Sequence, residues 1–114
     1  MNITRTNITK WDMDTAYSIL ESEDRGKLSD INPGSKTLGN YAVYEDALAD
    51  GEIKTLLSVE LDGEVYVTNS PTFINSFNRL LDIADRCGET LTKIEVTREK
   101  SRAGRSFMNA KLAR

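Results

Sequence analysis

The chain has 114 residues, the size of one ordinary domain with a single core. It carries no histidine and one cysteine, which excludes an internal disulfide and leaves zinc sites and histidine-dependent catalysis almost no side chains to use. The formal net charge is −3, no apolar run is long enough to span a membrane, and the N-terminus lacks the apolar core of a signal peptide. We therefore expect a cytoplasmic protein with no membrane partner.

The first predicted element is a short helix in "WDMDTAYSILESEDRG". Asp12 or Asp14 suits its N-cap, and Gly26 suits its end. Trp11 is expected to anchor this helix by packing rather than to act as a platform for a base. The turn-rich stretch "SDINPGSKTLGN" then leads into the strands.

Three strands follow, in "YAVYEDAL", "EIKTLLSVEL" and "EVYVTNS". Asp62 and Gly63 predict the hairpin turn between the second and the third. A two-residue loop would point Tyr66 inward, whereas a three-residue loop would bury Val65 and Val67 and leave Tyr66 outside. The three-residue loop hides more apolar area and is our prediction.

The clearest helix is predicted over residues 71–87, between an N-cap at Ser70 and an end at Gly88. Pro71 suits its first position. Two more strands follow, in "LTKIEVT" and "SFMNAKL". The helix's apolar residues recur at helical spacing and are expected to face the core: Phe73, Phe77, Leu80, Leu81 and Ala84.

Three strands, a helix and two strands is the element order of the OB-fold, a five-stranded, partly open barrel. No repeat or long linker interrupts this order. We therefore predict an α+β, mainly β, OB-fold-like barrel (β-β-β-α-β-β) in residues 27–114, preceded by a helical extension in residues 1–26.

Charge is distributed unevenly along the chain. Residues 1–92 carry 8 basic and 16 acidic side chains, a balance of −8, whereas residues 93–114 carry 7 basic and 2 acidic, a balance of +5. A solvated C-terminal hairpin on an acidic body is the ordinary interpretation of such a pattern. Position favours a binding role, because the basic cluster falls in the loop between the fourth and fifth strands, which flanks the binding face of OB-folds.

The stretch "TREKSRAGRSF" combines two features that hold single-stranded nucleic acid, cations for the phosphates and an aromatic ring for stacking. Gly104 would let the loop turn back with positive φ. Strand alternation predicts an inward row of Met108, Ala110 and Leu112, with Phe107 on the opposite, stacking face. A Phe107 ring tucked under the N-terminal helix is the alternative.

Two further aromatic residues and a lysine belong to the predicted interface. Tyr41 is placed outward on the first strand, and Lys54 and Tyr66 on the sheet of the second and third strands that OB-folds use for oligonucleotides. The predicted nucleic-acid-binding residues are Tyr41, Lys54, Tyr66, Lys93, Arg98, Lys100, Arg102, Arg105, Phe107 and Lys111.

The stretches "YAVYED", "LLSVELDGEVYVTNSPTFINSF" and "KSRAGRSFMNAKL" carry a family resemblance. In their order and spacing, from about Leu28 to Leu112, the chain resembles the small single-stranded-DNA-binding proteins of tailed phages of Gram-positive bacteria. The resemblance implies an OB-fold that coats single-stranded DNA in phage replication or recombination, without sequence preference or catalysis. It also supports four members of the predicted interface: Lys100, Arg102, Arg105 and Phe107.

The sequence leaves the protein partners open. It ends in "NAKLAR", without the long acidic tail that recruits replication proteins in bacterial relatives. Recruitment of phage or host replication and recombination proteins is therefore in doubt, and self-association is left open.

Other functions find less support in the sequence. Residues 68–70 could bind an anion, but they fit an ordinary helix start, and the acidic residues near position 50 match no known order of metal ligands. We expect no metal, no cofactor and no enzymatic activity.

The competing hypothesis is a small acidic phage protein that mimics the charge of DNA and inhibits a host nuclease or defence complex. Such a protein would tolerate charge removal at Arg102 and Arg105.

Overall fold

The chain folds into one mixed sheet of seven strands with two helices, and the computed structural model describes all 114 residues. Neither helix is long and apolar enough to cross a membrane. Helix α1 (Met13–Ala16) continues as a π-helical turn (Tyr17–Glu21), α2 is Pro71–Cys87, and a 3-10 turn (Leu28–Asp30) follows the second strand. The strands are β1 (Asn2–Thr6), β2 (Gly26–Lys27), β3 (Gly34–Ala47), β4 (Ile53–Leu61), β5 (Glu64–Thr68), β6 (Lys93–Lys100) and β7 (Ser106–Leu112).

The sheet curls into an open half-barrel with the strand order β2-β5-β4-β3-β6-β7. Strand β3 changes partner along its length. Its first four residues pair with β6, while the rest of the strand pairs with β4 and β1. A β-bulge between Leu38 and Tyr41 bends β3 at this change of partner. A side chain at Gly39 would meet the Glu60 carboxylate, which accepts from the Asn40 amide, so that carboxylate would have to move.

Strand β7 forms one edge of the sheet, and at the other edge β5 is extended only by the two-residue β2, so β5 and β7 do not pair with each other. The 3-10 turn Leu28–Asp30 lies between them and contacts both strands. Arg98 on β6 holds this turn in place, since its Nη2 donates to the carbonyl oxygens of Ser29 and Ile31 at 3.1 and 3.2 Å. We call this bridged gap between β5 and β7 the seam.

The main core fills the inner face of the half-barrel. Helix α2 covers it with Phe73 and Phe77, whose stacked rings have centroids 6.5 Å apart, and Tyr41 meets Phe77 edge-on at 5.2 Å. The sheet supplies aliphatic side chains from four strands: Val43, Leu57, Val59, Leu61, Ile94, Val96, Met108 and Ala110.

A second, smaller apolar cluster lies on the outer face of the sheet. The N-terminal segment (residues 7–25) packs there, with Trp11 and Ile19 among the residues around Ala42 and Tyr44. Arg25 secures it by donating through Nη1 to the Tyr44 hydroxyl at 3.0 Å. The outer face is therefore covered by the chain's own N-terminus.

Helix α2 has the predicted bounds. The Ser70 hydroxyl accepts from the Phe73 amide, Pro71 opens the helix, and Gly88 ends it with a φ of 65°. Each of these three residues has the role predicted for it: N-cap, first helical position and helix end.

The elements before α2 differ more from the predictions. Asp12 does cap α1, but the helical stretch ends at Glu21, and Gly26 lies in β2. Strand β3 begins at Gly34, in the stretch predicted to be turn-rich, because these residues find a partner in β6. Strand β1, which pairs with β3, was not predicted.

The predicted register of the β4–β5 hairpin is wrong. Asp62 and Gly63 form a two-residue turn with φ of 52° and 84°, the left-handed pair that a type I′ turn requires. Tyr66 consequently lies opposite Val59 and packs against the core, while Val65 faces the outer cluster. The apolar cover that the N-terminal segment gives to Val65 removes the reason for preferring the longer loop.

Candidate nucleic-acid interface

The β6–β7 hairpin carries most of the predicted interface. Its strands are paired without a break, up to Lys100 opposite Ser106. The connecting turn is closed by its own backbone, with Ser101 N–H donating to the Arg105 carbonyl at 2.9 Å and Gly104 N–H to the Ser101 carbonyl at 2.9 Å. Gly104 has a φ of 80°, as its predicted role in turning the chain requires.

Three cations lie at this turn. The side chains of Lys100, Arg102 and Arg105 are exposed and take part in none of the protein's ion pairs. Their positive charge is not compensated locally, so it is free to attract an anion. We call these three residues the basic turn.

On the outer face of the β6–β7 hairpin, unlike at the basic turn, positive charge is compensated, because Glu99 lies at the centre of that face. The Glu99 carboxylate accepts from Asn109 Nδ2 at 3.0 Å and Thr97 Oγ1 at 3.1 Å, and pairs with Lys111 Nζ at 3.4 Å. The Asn109 hydrogen bond, followed by that of Thr97, holds the pKa of Glu99 below its usual range. Lys111 is therefore occupied by an internal carboxylate, unlike the basic turn.

Phe107 lies half-buried on β7, opposite Glu99. The predicted alternation is partly confirmed: Met108 and Ala110 are buried, while Leu112 is 52% exposed at the strand's end. Phe107 is not part of the cluster beneath the N-terminal segment.

Arg98 and Ser106 lie on the inner face of the hairpin, on the same side as the core residues but outside the core. Arg98 pairs with Met108 across the strands, and Ser106 precedes Met108 by two residues. A cleft of about 210 Å³ opens beside them at the seam, between β7 and the end of β5. We call it the seam cleft; its lining residues are Ser29, Thr68, Ser70, Arg98, Ser106, Phe107 and Met108.

The outward position predicted for Tyr41 is wrong. Its side chain is buried in the core against Phe77, and this burial raises the pKa of the Tyr41 hydroxyl. The tyrosine of β3 that does face outward is Tyr44, and the N-terminal segment covers it. No tyrosine of β3 therefore offers an open face to a base.

The outward position predicted for Tyr66, on an open sheet surface with Lys54, is also wrong. Tyr66 packs toward the core, its ring leaves little room for a side chain at Gly26, and its hydroxyl donates to Glu64 at 3.1 Å. Burial, and then this hydrogen bond, raise the pKa of Tyr66. Lys54 is exposed and lines a separate cleft of about 590 Å³ at the start of α2.

The remaining predicted cation, Lys93, is exposed at the first residue of β6. The turn lies at the other end of this strand, so Lys93 is not part of the basic turn. The hairpin thus brings together six of the ten predicted residues near the turn or along β7: Arg98, Lys100, Arg102, Arg105, Phe107 and Lys111.

Sequence reasoning missed the hydroxyl groups of the seam cleft. Ser29 comes from the 3-10 turn and Thr68 from the end of β5, far from the hairpin in sequence. No local sequence motif identifies these hydroxyl groups, because they come close to Arg98 only where the 3-10 turn bridges β5 and β7. Comparison with protein-family models, curated proteins and solved structures finds no match for this chain.

Proposed function

We propose that the protein binds single-stranded DNA without sequence preference and without chemistry, using the β6–β7 hairpin, in phage replication or recombination. The observation that carries this proposal is the basic turn: three exposed cations with no internal partner, on an otherwise acidic chain. Phosphates of a single strand supply the missing negative charge, and releasing their counterions favours binding at low salt.

An OB-fold is the architecture that we propose for the half-barrel. Strands β3, β4 and β5, then α2, then β6 and β7 follow the OB order of elements, and β3 pairs with both β4 and β6. In this assignment the basic turn is the loop between the fourth and fifth barrel strands, one of the two that flank the OB binding site. The other such loop, between β3 and β4, carries Asp50 and Glu52 and offers no cations for phosphates.

The covered outer face limits where DNA can lie. The N-terminal segment packs over Tyr44 and Val65, on the sheet surface where an OB-fold commonly holds its oligonucleotide. We infer that the strand contacts the hairpin and the neighbouring seam instead. This is a smaller interface than the one predicted from sequence, and it relies more on charge and less on tyrosine stacking.

A matched charge-removal experiment tests the proposal. Arg102→Gln with Arg105→Gln removes two charges from the basic turn, whereas Lys10→Gln with Arg86→Gln removes two exposed charges away from the hairpin and the seam. Fluorescence anisotropy with a labelled oligo-dT should report a loss on the order of twenty-fold near 0.1 M salt for the first pair, from roughly 0.7 counterion per phosphate contact. The second pair should bind nearly as tightly as the parent protein.

Equal affinity of both variants, with circular dichroism unchanged, would contradict the proposal. The remaining candidate would then be the acidic interaction protein. The exposed carboxylates of the N-terminal segment, including Asp12, Asp14 and Asp24, supply a negative surface for that role.

A further inference from the structure

We propose that the seam cleft binds one unpaired nucleobase of the strand whose phosphates lie on the basic turn, with the base stacked on the Arg98 guanidinium. This inference rests on the function proposed above and adds a base-binding subsite to it. The cleft opens between β5 and β7, where the half-barrel is closed only by the 3-10 turn Leu28–Asp30.

Arg98 is the one charged residue that lines the cleft, and its guanidinium group is planar and cationic. Its Nη2 atom donates to the carbonyl oxygens of Ser29 and Ile31, which fixes the guanidinium plane before any ligand arrives. Its Nε and Nη1 atoms donate to no other protein group. Planar guanidinium groups stack on unpaired bases, and a fixed one loses less conformational entropy on binding than a free arginine.

Hydroxyl groups supply the rest of the polar lining. Ser29 and Ser106 line the cleft and neither hydroxyl makes a hydrogen bond within the protein, while Thr68 Oγ1 accepts from the Ser70 amide and keeps its own proton free. A hydroxyl can donate or accept, so it can pair with the edge of any base. This lining therefore suits binding without sequence preference, and Met108 adds an apolar contact.

The cleft adjoins the basic turn along one strand. Ser106 is paired with Lys100, the first residue of the basic turn, in the last rung of the hairpin. A phosphate held by Lys100 thus lies next to the entrance of the cleft, and its nucleotide can turn its base inward. On the outer face of β3–β5, by contrast, the N-terminal segment covers Tyr44 and Val65.

The experiment compares a labelled dT oligomer with an abasic oligomer of the same length, which has the same phosphates but no bases. The parent protein should bind the dT oligomer about ten-fold more tightly or better. Ser106→Leu places a side chain that cannot stack into the cleft and should abolish this preference while retaining affinity for the abasic oligomer. Ser35→Leu, at an exposed serine of β3 opposite Glu95, is the matched control and should keep the preference.

Three results separate the two proposals. Equal affinity of the parent protein for both oligomers, or a preference that survives Ser106→Leu, overturns the subsite and leaves charge-driven binding standing. No binding of either oligomer overturns the proposed function itself. If Ser106→Leu fails to fold, amide chemical shifts of the parent protein decide: dT should move Ser29, Thr68 and Ser106, and movement confined to other residues overturns the subsite.

Discussion

Ser58 illustrates how the N-terminal segment changes the chemistry of single residues. It lies on β4 between Ala42 and Val67 on the outer face, it is fully buried, and its hydroxyl has no hydrogen-bond partner. A buried hydroxyl without a partner costs about 1–3 kcal/mol. Without the N-terminal segment over this face the serine would contact solvent, where the same group carries no cost.

Ser58→Ala should therefore leave the free energy of unfolding unchanged or raise it by up to about 1 kcal/mol. The matched control is Ser76→Ala, since the Ser76 hydroxyl donates to the Phe73 carbonyl at 3.0 Å and accepts from the Ala110 amide at 3.2 Å. That variant should lose about 1–2 kcal/mol, because it removes both hydrogen bonds of the Ser76 hydroxyl, although the Ala110 N–H keeps Asn109 Oδ1 as an acceptor at 3.1 Å. Urea unfolding measures both, and a larger loss in Ser58→Ala than in Ser76→Ala would contradict this account.

The tyrosines mark the limit of sequence reasoning at the residue scale. Asp62 and Gly63 are sufficient to predict a type I′ turn, and had the turn chemistry been given priority, the position of Tyr66 would have followed. The face of Tyr41 could not be settled by alternation, because both faces of β3 are apolar and both are covered. A strand buried on two sides loses the alternating pattern that reveals its orientation.

Among the elements, α2 was predictable because all its signals are local. Its cap, its first proline, its terminal glycine and its apolar stripe lie within residues 70–88. Strand β1 and the first four residues of β3 depend instead on partners about 40 and 60 residues away in the chain, so their local sequence resembles that of a loop.

Phe77→Ala tests the role of α2 in the core. Phe77 is fully buried and contacts both Phe73 and Tyr41, so its truncation should cost about 3–5 kcal/mol of unfolding free energy. Ile83→Ala on the same helix is the control, since Ile83 is 47% exposed and its truncation should cost less than about 1 kcal/mol. Equal midpoints of thermal unfolding in the two variants would mean that α2 does not form the core cover described above.

At the scale of the whole molecule, the chain is an acidic body with one basic end. The sequence was sufficient to locate the basic cluster and the two strands that hold it, because charge and the turn glycine are both local signals. It was not sufficient to predict the seam, which depends on the 3-10 turn meeting Arg98 across 69 positions of the chain. It also could not reveal that the chain's own N-terminus covers the outer face.

The salt dependence of binding tests the central claim most directly. The logarithm of oligo-dT affinity against the logarithm of salt concentration should give a straight line, and replacing Lys100, Arg102 and Arg105 by Gln should reduce its slope by about 2, from roughly 0.7 counterion for each phosphate contact. A control with Lys10, Arg79 and Arg86 replaced by Gln removes the same charge from exposed positions elsewhere and should leave the slope unchanged. Equal slopes for the parent protein and the basic-turn variant, or equal reductions in both variants, would contradict a phosphate site at the hairpin.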